Sequence, residues 1–231
     1  MPLGTSTPLE MVVSRITNAT SVDKVVVATS TQPDDDELVK FCEERGISIV
    51  RGSESNVYSR FLEGIRIYSP ENILRITSDC PFVDPNLIDR LWEIYEENHL
   101  EYASIATGAG FAQTSQKRFP DGFDAEWVSA SVLKSIGKYK IEERDLEHVT
   151  SFIWSSPEKF KLGHLYADSD YGLMRVTLDR DSDLEFLRKL ASVLGNRLPT
   201  AGYQEIIQVI QAHLQSEQDS LIPETYNEFY G

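Results

Sequence analysis

A chain of 231 residues with 41% apolar content can bury one α/β core, while a net charge of −15 repels polyanions over most of its surface. That balance excludes a nonspecific nucleic-acid or membrane-surface binder, and no apolar run approaches the ~18 residues of a membrane span. The opening residues lack a charged-then-apolar leader pattern, and Cys42 and Cys80 lack metal spacing, so the sequence predicts a cytoplasmic protein with reduced thiols.

In chain order, Thr7 is placed to cap a helix over residues 8–18. A fully apolar strand at 25–28 runs into a polar turn of Thr29, Ser30 and Thr31. An acidic-faced helix over 34–45 is stopped by Gly46, and a short strand at 47–50 is followed by Arg51, Gly52 and Ser53. Val57, Phe61, Ile65 and Tyr68 share one face of a helix over 56–68. A strand at 73–76 follows, then Asp84 and Pro85 as N-cap and first-turn proline of a helix over 85–98. This alternation up to residue 106 predicts right-handed βαβ units and a mostly parallel sheet.

The middle breaks the rhythm. Residues 107–120 read as a loop, and strands at 123–128 and 160–166 flank short helices at 131–136 and 142–155. The 107–166 segment is therefore expected to form an inserted lobe or a dimer arm. A last strand at 174–178 precedes a helix over 182–194 capped by Asp181, and an amphipathic helix covers 200–213. Residues 214–231 form a tail with exposed Tyr226, Phe229 and Tyr230. No repeat or linker divides the chain, so residues 1–231 are expected to be a single domain.

Asp79 carries the sharpest chemical signal. The apolar strand before it delivers a carboxylate at its C-terminal end, where ligands of open α/β sheets sit, and Pro81 stops the strand there. The pattern Arg-(Ile/Val)-Thr-x-Asp recurs at Arg175 to Asp179. Two strand-end carboxylates converging on one rim supply hard oxygens that suit magnesium better than zinc. Each aspartate could equally serve a turn or a cap.

Six segments in order carry a resemblance: 25–31 (VVVATST), 51–53 (RGS), 75–85 (RITSDCPFVDP), 119–126 (FPDGFDAE), 147–150 (EHVT) and 175–189 (RVTLDRDSDLEFLRK). Together they resemble the cytidylyltransferase family of acylneuraminate and deoxy-manno-octulosonate cytidylyltransferases, nearest the spore-coat polysaccharide biosynthesis protein F group. The resemblance implies a Rossmann-like α/β/α sandwich of the nucleotide-diphospho-sugar transferase type, with a small inserted dimerisation lobe, often forming homodimers. It implies transfer of CMP from CTP to a sugar-acid hydroxyl with release of pyrophosphate. By the same resemblance, Asp79 and Asp179 hold Mg2+, and Ala28, Thr29, Ser30, Arg51, Gly52 and Ser53 line the base and ribose pocket. Asp121, Asp124, Glu126 and His148 fall near the sugar substrate or the dimer face, with structural roles equally open.

One departure stands out. Family members open with a strand and a Ser/Arg/Gly/Lys loop that cradles the triphosphate. Residues 2–9 match the segment after that loop, so the chain is expected to start roughly 20 residues late. Thr7 stands where lysine is usual, and no Lys or Arg precedes Arg15. A catalytically impaired binding homologue, and a glycosyltransferase of the related fold using a sugar nucleotide, remain as alternatives.

Overall fold

The computed structural model describes residues 2–4, 6–107 and 116–217. Helix α1 (Pro8–Thr17) opens on a reciprocal cap. Glu10 N–H donates to Thr7 Oγ1 at 3.2 Å and Thr7 N–H to Glu10 Oε2 at 2.7 Å, satisfying two helix-end donors. Strands β1 (Val26–Ser30) and β2 (Ser48–Gly52) pair in parallel across helix α2 (Asp36–Glu44). Helix α3 (Val57–Tyr68) follows, capped by Asn56, whose side chain accepts from Ser59 N–H at 2.9 Å.

A second sheet has the order β3-β5-β4-β6, from β3 (Asn72–Arg75), β4 (Tyr102–Ile105), β5 (Glu126–Ser129) and β6 (Leu162–Leu165). Strands β4 and β6 are parallel, whereas β5 runs antiparallel to both of its neighbours, so the sheet is mixed. Among the described residues, no strand joins β1 to β3.

Alternating side chains give the second sheet two apolar faces. Leu74, Trp127 and Ala103 pack into a core with Val12 of α1 and Leu87, Ile88 and Leu91 of α4 (Pro85–Glu97). Leu187 and Leu190 of α8 (Asp181–Leu194) and Ile206 of α9 (Tyr203–Val209) complete that core. On the opposite face, Ile73, Val128, Tyr102 and Leu162 meet α3, α5 (Ala130–Ile136) and α7 (Ser151–Trp154). The architecture is thus the expected Rossmann-like α/β/α sandwich. The 107–166 segment supplies β5 and β6 to the sheet and α5 to α7 to its second face.

The sheet is mixed rather than mostly parallel as expected, and four further expectations are corrected. The helix over 142–155 divides into α6 (Glu143–His148) and α7, because Val149 adopts φ 55° and breaks the hydrogen-bond ladder. Residues 174–178 form no ladder. They are extended, with Val176 N–H bonded to the Asp121 carbonyl at 2.8 Å and Leu178 N–H to the Asp79 carbonyl at 2.9 Å. Asp183, rather than Asp181, caps α8, accepting from the N–H groups of Asp179 and Arg180 at 2.9 Å each. The final helix passes into a π-helical turn at Ile210–Leu214. The 108–115 part of the loop, and Tyr226, Phe229 and Tyr230 of the tail, lie outside the described residues.

Arg15 is fully buried and cannot serve as an early phosphate-binding cation. Its guanidinium donates to the carbonyls of Val83 at 2.6 Å, Leu198 at 2.9 Å and Ala201 at 2.6 Å. Burial pulls its pKa down to about 10, opposed by the nearby Asp84 charge. Asp84 caps α4 as expected, accepting from Asn86 N–H at 2.9 Å, and also accepts from Tyr203 N–H at 2.7 Å.

Candidate active site

The chain leaving β3 and the extended 174–178 segment meet side by side through the bond from Leu178 N–H to the Asp79 carbonyl. This brings Asp79 and Asp179 to the same rim. The turn carrying Asp121 and Asp124 completes the cluster, held by paired backbone bonds between Asp121 and residues 174–176. Gly122 makes that approach possible: at φ +103°, a Cβ there would lie 2.8 Å from the Val176 carbonyl carbon.

Arg175 organises the carboxylates. It pairs with Asp121 at 2.8 Å, with Asp183 at 3.1 Å and closely with Asp179. Burial works against its charge, yet the bonds to Asp183 and Asp179 and the charge of Asp121 raise its pKa. Asp121 is pushed up to about 7, first by burial and then by Asp124, with Arg175 opposing. Burial also raises Asp124, against hydrogen bonds from the Thr107 hydroxyl at 2.5 Å and Gly122 N–H at 2.9 Å. Cys80 is buried beside this cluster, its thiol raised by burial and by Asp124 and Asp79, so it is a packing group and no nucleophile. Among the described residues, Thr177 Oγ1 and Asp183 Oδ1 are buried polar atoms with no partner.

The other predicted segments pair where β1 and β2 end, with Thr29 opposite Arg51 and Ser30 opposite Gly52. The hydroxyls of Thr29 and Ser30 donate to Asp35 at 2.6 and 2.5 Å, and these bonds lower the Asp35 pKa. Arg51 donates to the Ser30 carbonyl at 2.8 Å and pairs with Asp36 at 2.8 Å. The Ser53 carbonyl accepts from Arg60 at 2.6 Å. A cavity of about 420 Å3 opens there, lined by Ser30, Gln32, Asp35, Glu54 and Arg60 among others. Ala28 sits further down β1, opposite Val50.

Glu126 and His148 stand apart from the carboxylate cluster. Glu126 accepts from Arg75 and the Tyr102 hydroxyl at 2.6 Å each and from the Thr150 hydroxyl at 2.9 Å. His148 is exposed at the end of α6, and among the described residues its side chain makes no hydrogen bond. Sequence reasoning overlooked Asp35, Arg175 and Asp183 as site residues. The repeated arginine four positions before each strand-end aspartate was the available signal for Arg175.

Comparison with known proteins agrees with this geometry. The Cytidylyltransferase family model matches residues 2–219. The chain is 30% identical over 216 residues to the spore coat polysaccharide biosynthesis protein SpsF of Bacillus subtilis (strain 168), covering 90% of this chain and 85% of that protein. It is similar to the solved structure of a cytidylyltransferase from Leptospira borgpetersenii serovar Hardjo-bovis (strain JB197). The TM-score there is 0.84 at 25% identity, covering 95% of this chain and 89% of the other. CMP:2-keto-3-deoxy-manno-octonic acid synthetase, solved with CTP, shares the fold with a TM-score of 0.60 at 13% identity, over 84% of this chain and 90% of that one. With its family matched along nearly the whole length and its carboxylates gathered at one rim, the chain belongs to the cytidylyltransferase family and is a nucleotidyltransferase enzyme.

Proposed function

We propose that the chain transfers CMP from CTP to a hydroxyl of a sugar acid, releasing pyrophosphate, in surface polysaccharide biosynthesis. The observation that carries this reading is the rim where the segments bearing Asp79 and Asp179 lie side by side, with both carboxylates and Asp124 within electrostatic reach of Asp121. The relatives add support: one is named for polysaccharide biosynthesis and another is a sugar-acid synthetase bound to CTP.

The donor set fits Mg2+. It offers hard carboxylate oxygens, and Asp121, raised first by burial, is raised further by the charges of Asp124, Asp179 and Asp79. Among the described residues, no group of three or more ligating side chains stands ready to hold a metal, so Asp79 and Asp179 would hold Mg2+ only together with oxygens from substrate or water. Bound Mg2+ supplies charge neutralisation at the α- and β-phosphates.

The chain's own residues do the rest. Thr29, Ser30, Arg51, Gly52 and Ser53 position the base and ribose at the ends of β1 and β2. Arg175 fixes the orientation of Asp179 and Asp121 through its fork of donors. Asp121 Oδ1 takes the proton of the attacking hydroxyl, a task suited to a carboxylate that titrates at about 7. The 107–166 segment forms the homodimer face, with sedimentation as its test.

The decisive measurement is Mg2+-dependent pyrophosphate release from CTP with 3-deoxy-manno-octulosonic acid or a nonulosonic acid. Release of a nucleoside diphosphate from a sugar nucleotide would replace this reading with glycosyl transfer. Calorimetry that detects no CTP binding would replace it with a non-catalytic homologue.

A further inference from the structure

The register of the second sheet places Arg75 opposite Glu126, Glu126 opposite Ser104, and Ser104 opposite His164. Four polar side chains thus cross four strands in one row on one face. The next row on that face is Ile73, Val128, Tyr102 and Leu162, which belong to the second core. The polar row is where that core ends.

Within the row, Glu126 accepts three hydrogen bonds from the protein. Its Oε1 accepts from the Tyr102 and Thr150 hydroxyls and its Oε2 from Arg75 Nη1. Thr150 is delivered by the residue before it, the buried Val149, whose left-handed backbone is unusual for a β-branched side chain. Glu126 is thus largely engaged within the protein and acts as a tether for Arg75.

Arg75 is different. One arm of its guanidinium is tied to Glu126, while among the described residues Nε and Nη2 have no hydrogen-bond partner and are not sealed from solvent. Its side chain keeps 19% exposure, and Asp124 of the rim lies within electrostatic reach. The neighbouring Arg175 is spent on Asp121, Asp179 and Asp183. A substrate carboxylate arriving at a rim of aspartates requires a cation with donors still open.

We propose that Arg75, oriented by Glu126 within the Arg75–Glu126–Tyr102–Thr150 network, receives the carboxylate of the acceptor sugar acid and sets the specificity for acids. This rests on the sugar-acid reading above. The fork geometry of a guanidinium suits a planar carboxylate, and donors left unmet by a neutral analogue penalise it.

The test measures pyrophosphate release from CTP and Mg2+ with 3-deoxy-manno-octulosonic acid and with a nonulosonic acid, each as free acid and as primary amide. Wild type is expected to favour the free acid. Arg75→Gln is expected to raise KM for the acid about 10- to 100-fold, as loss of charge-assisted hydrogen bonds predicts, and to abolish the acid-over-amide preference. Its Kd for CTP, read by calorimetry, should stay unchanged. Glu126→Gln, which keeps acceptors for Tyr102 and Thr150, should raise KM for the acid by a smaller factor without lowering kcat. Should Arg75→Gln fail to fold, Arg75→Lys keeps the ion pair but not the fork and should still raise KM for the acid.

Retention of the acid preference by Arg75→Gln, or an unchanged KM for the acid in Arg75→Lys, overturns the assignment, as does loss of CTP binding in parallel with acid binding. Wild-type preference for a polyol phosphate over both acids overturns it too. If wild type releases no pyrophosphate with any acid, the sugar-acid reading itself falls, and this is known before a variant is made.

Discussion

At the residue scale, a few side chains hold charges that the fold alone would not favour. Asp79 is the simplest test of the rim: Asp79→Asn should abolish Mg2+-dependent pyrophosphate release, and wild-type turnover in that variant would discard its role as a ligand. Asp121 gives a pH signature. Its folded pKa of about 7 lies above the ordinary 3.8, so the folded state binds the extra proton between those values. Stability therefore falls as pH rises through that window. The groups facing it are Asp124, Arg175, Asp179 and Asp79. Thermal unfolding at pH 5 and pH 8 should show this loss, Asp121→Asn should flatten it, and Mg2+ should raise the melting temperature more at pH 8. Gly122→Ala forces a Cβ against the Val176 backbone at a positive φ and should cost roughly 1–3 kcal/mol in strain alone. Urea unfolding reads that cost, with reduced turnover as a second readout.

At the element scale, helix α8 separates two aspartates that look alike in sequence. Asp183 caps two backbone N–H groups and meets Arg175 while fully buried, whereas Asp181 is exposed in the first turn. Asp183→Ala should cost roughly 3 kcal/mol by leaving Arg175 and the helix end unpaired, and Asp181→Ala should stay within about 0.5 kcal/mol. Denaturant midpoints of the two variants decide the point. Much of the fold was legible because apolar runs and caps have local signatures: Thr7, Asp84 and Pro85 mark their helix starts correctly. The direction of β5 was not, since a period of two looks the same in a parallel or antiparallel strand. Neither was the break at Val149, because a β-branched residue is the last place to expect left-handed backbone. Asp79 was readable as a carboxylate following a strand, whereas the segment before Asp179 is not a strand. The partners of Glu126 were not, because Tyr102 and Thr150 each lie 24 residues away in the chain.

At the scale of the whole molecule, the sheet is in two parts with unequal support. Strand β4 is buried at Tyr102, Ala103 and Ile105 and paired on both edges, whereas Val26, Val27 and Ala28 of β1 are only half-buried and, among the described residues, paired on one edge. Amides of β1 should therefore exchange with deuterium faster than those of β4, because local opening exposes less apolar surface there. CTP that contacts both the end of β1 and the rim should slow exchange in β1 by stabilising the closed state. Equal protection of the two strands would reject this ordering.

Arg15 finally links regions that synthesis separates in time. Its acceptors at Leu198 and Ala201 lie 183 and 186 residues further along the chain. Helix α1 can meet the Val83 carbonyl early, yet two of the three acceptors of its cation arrive only once residues 198–201 are made, and long-range contacts of this kind close late. The helix is thus expected to lock fully only after that distant segment has docked.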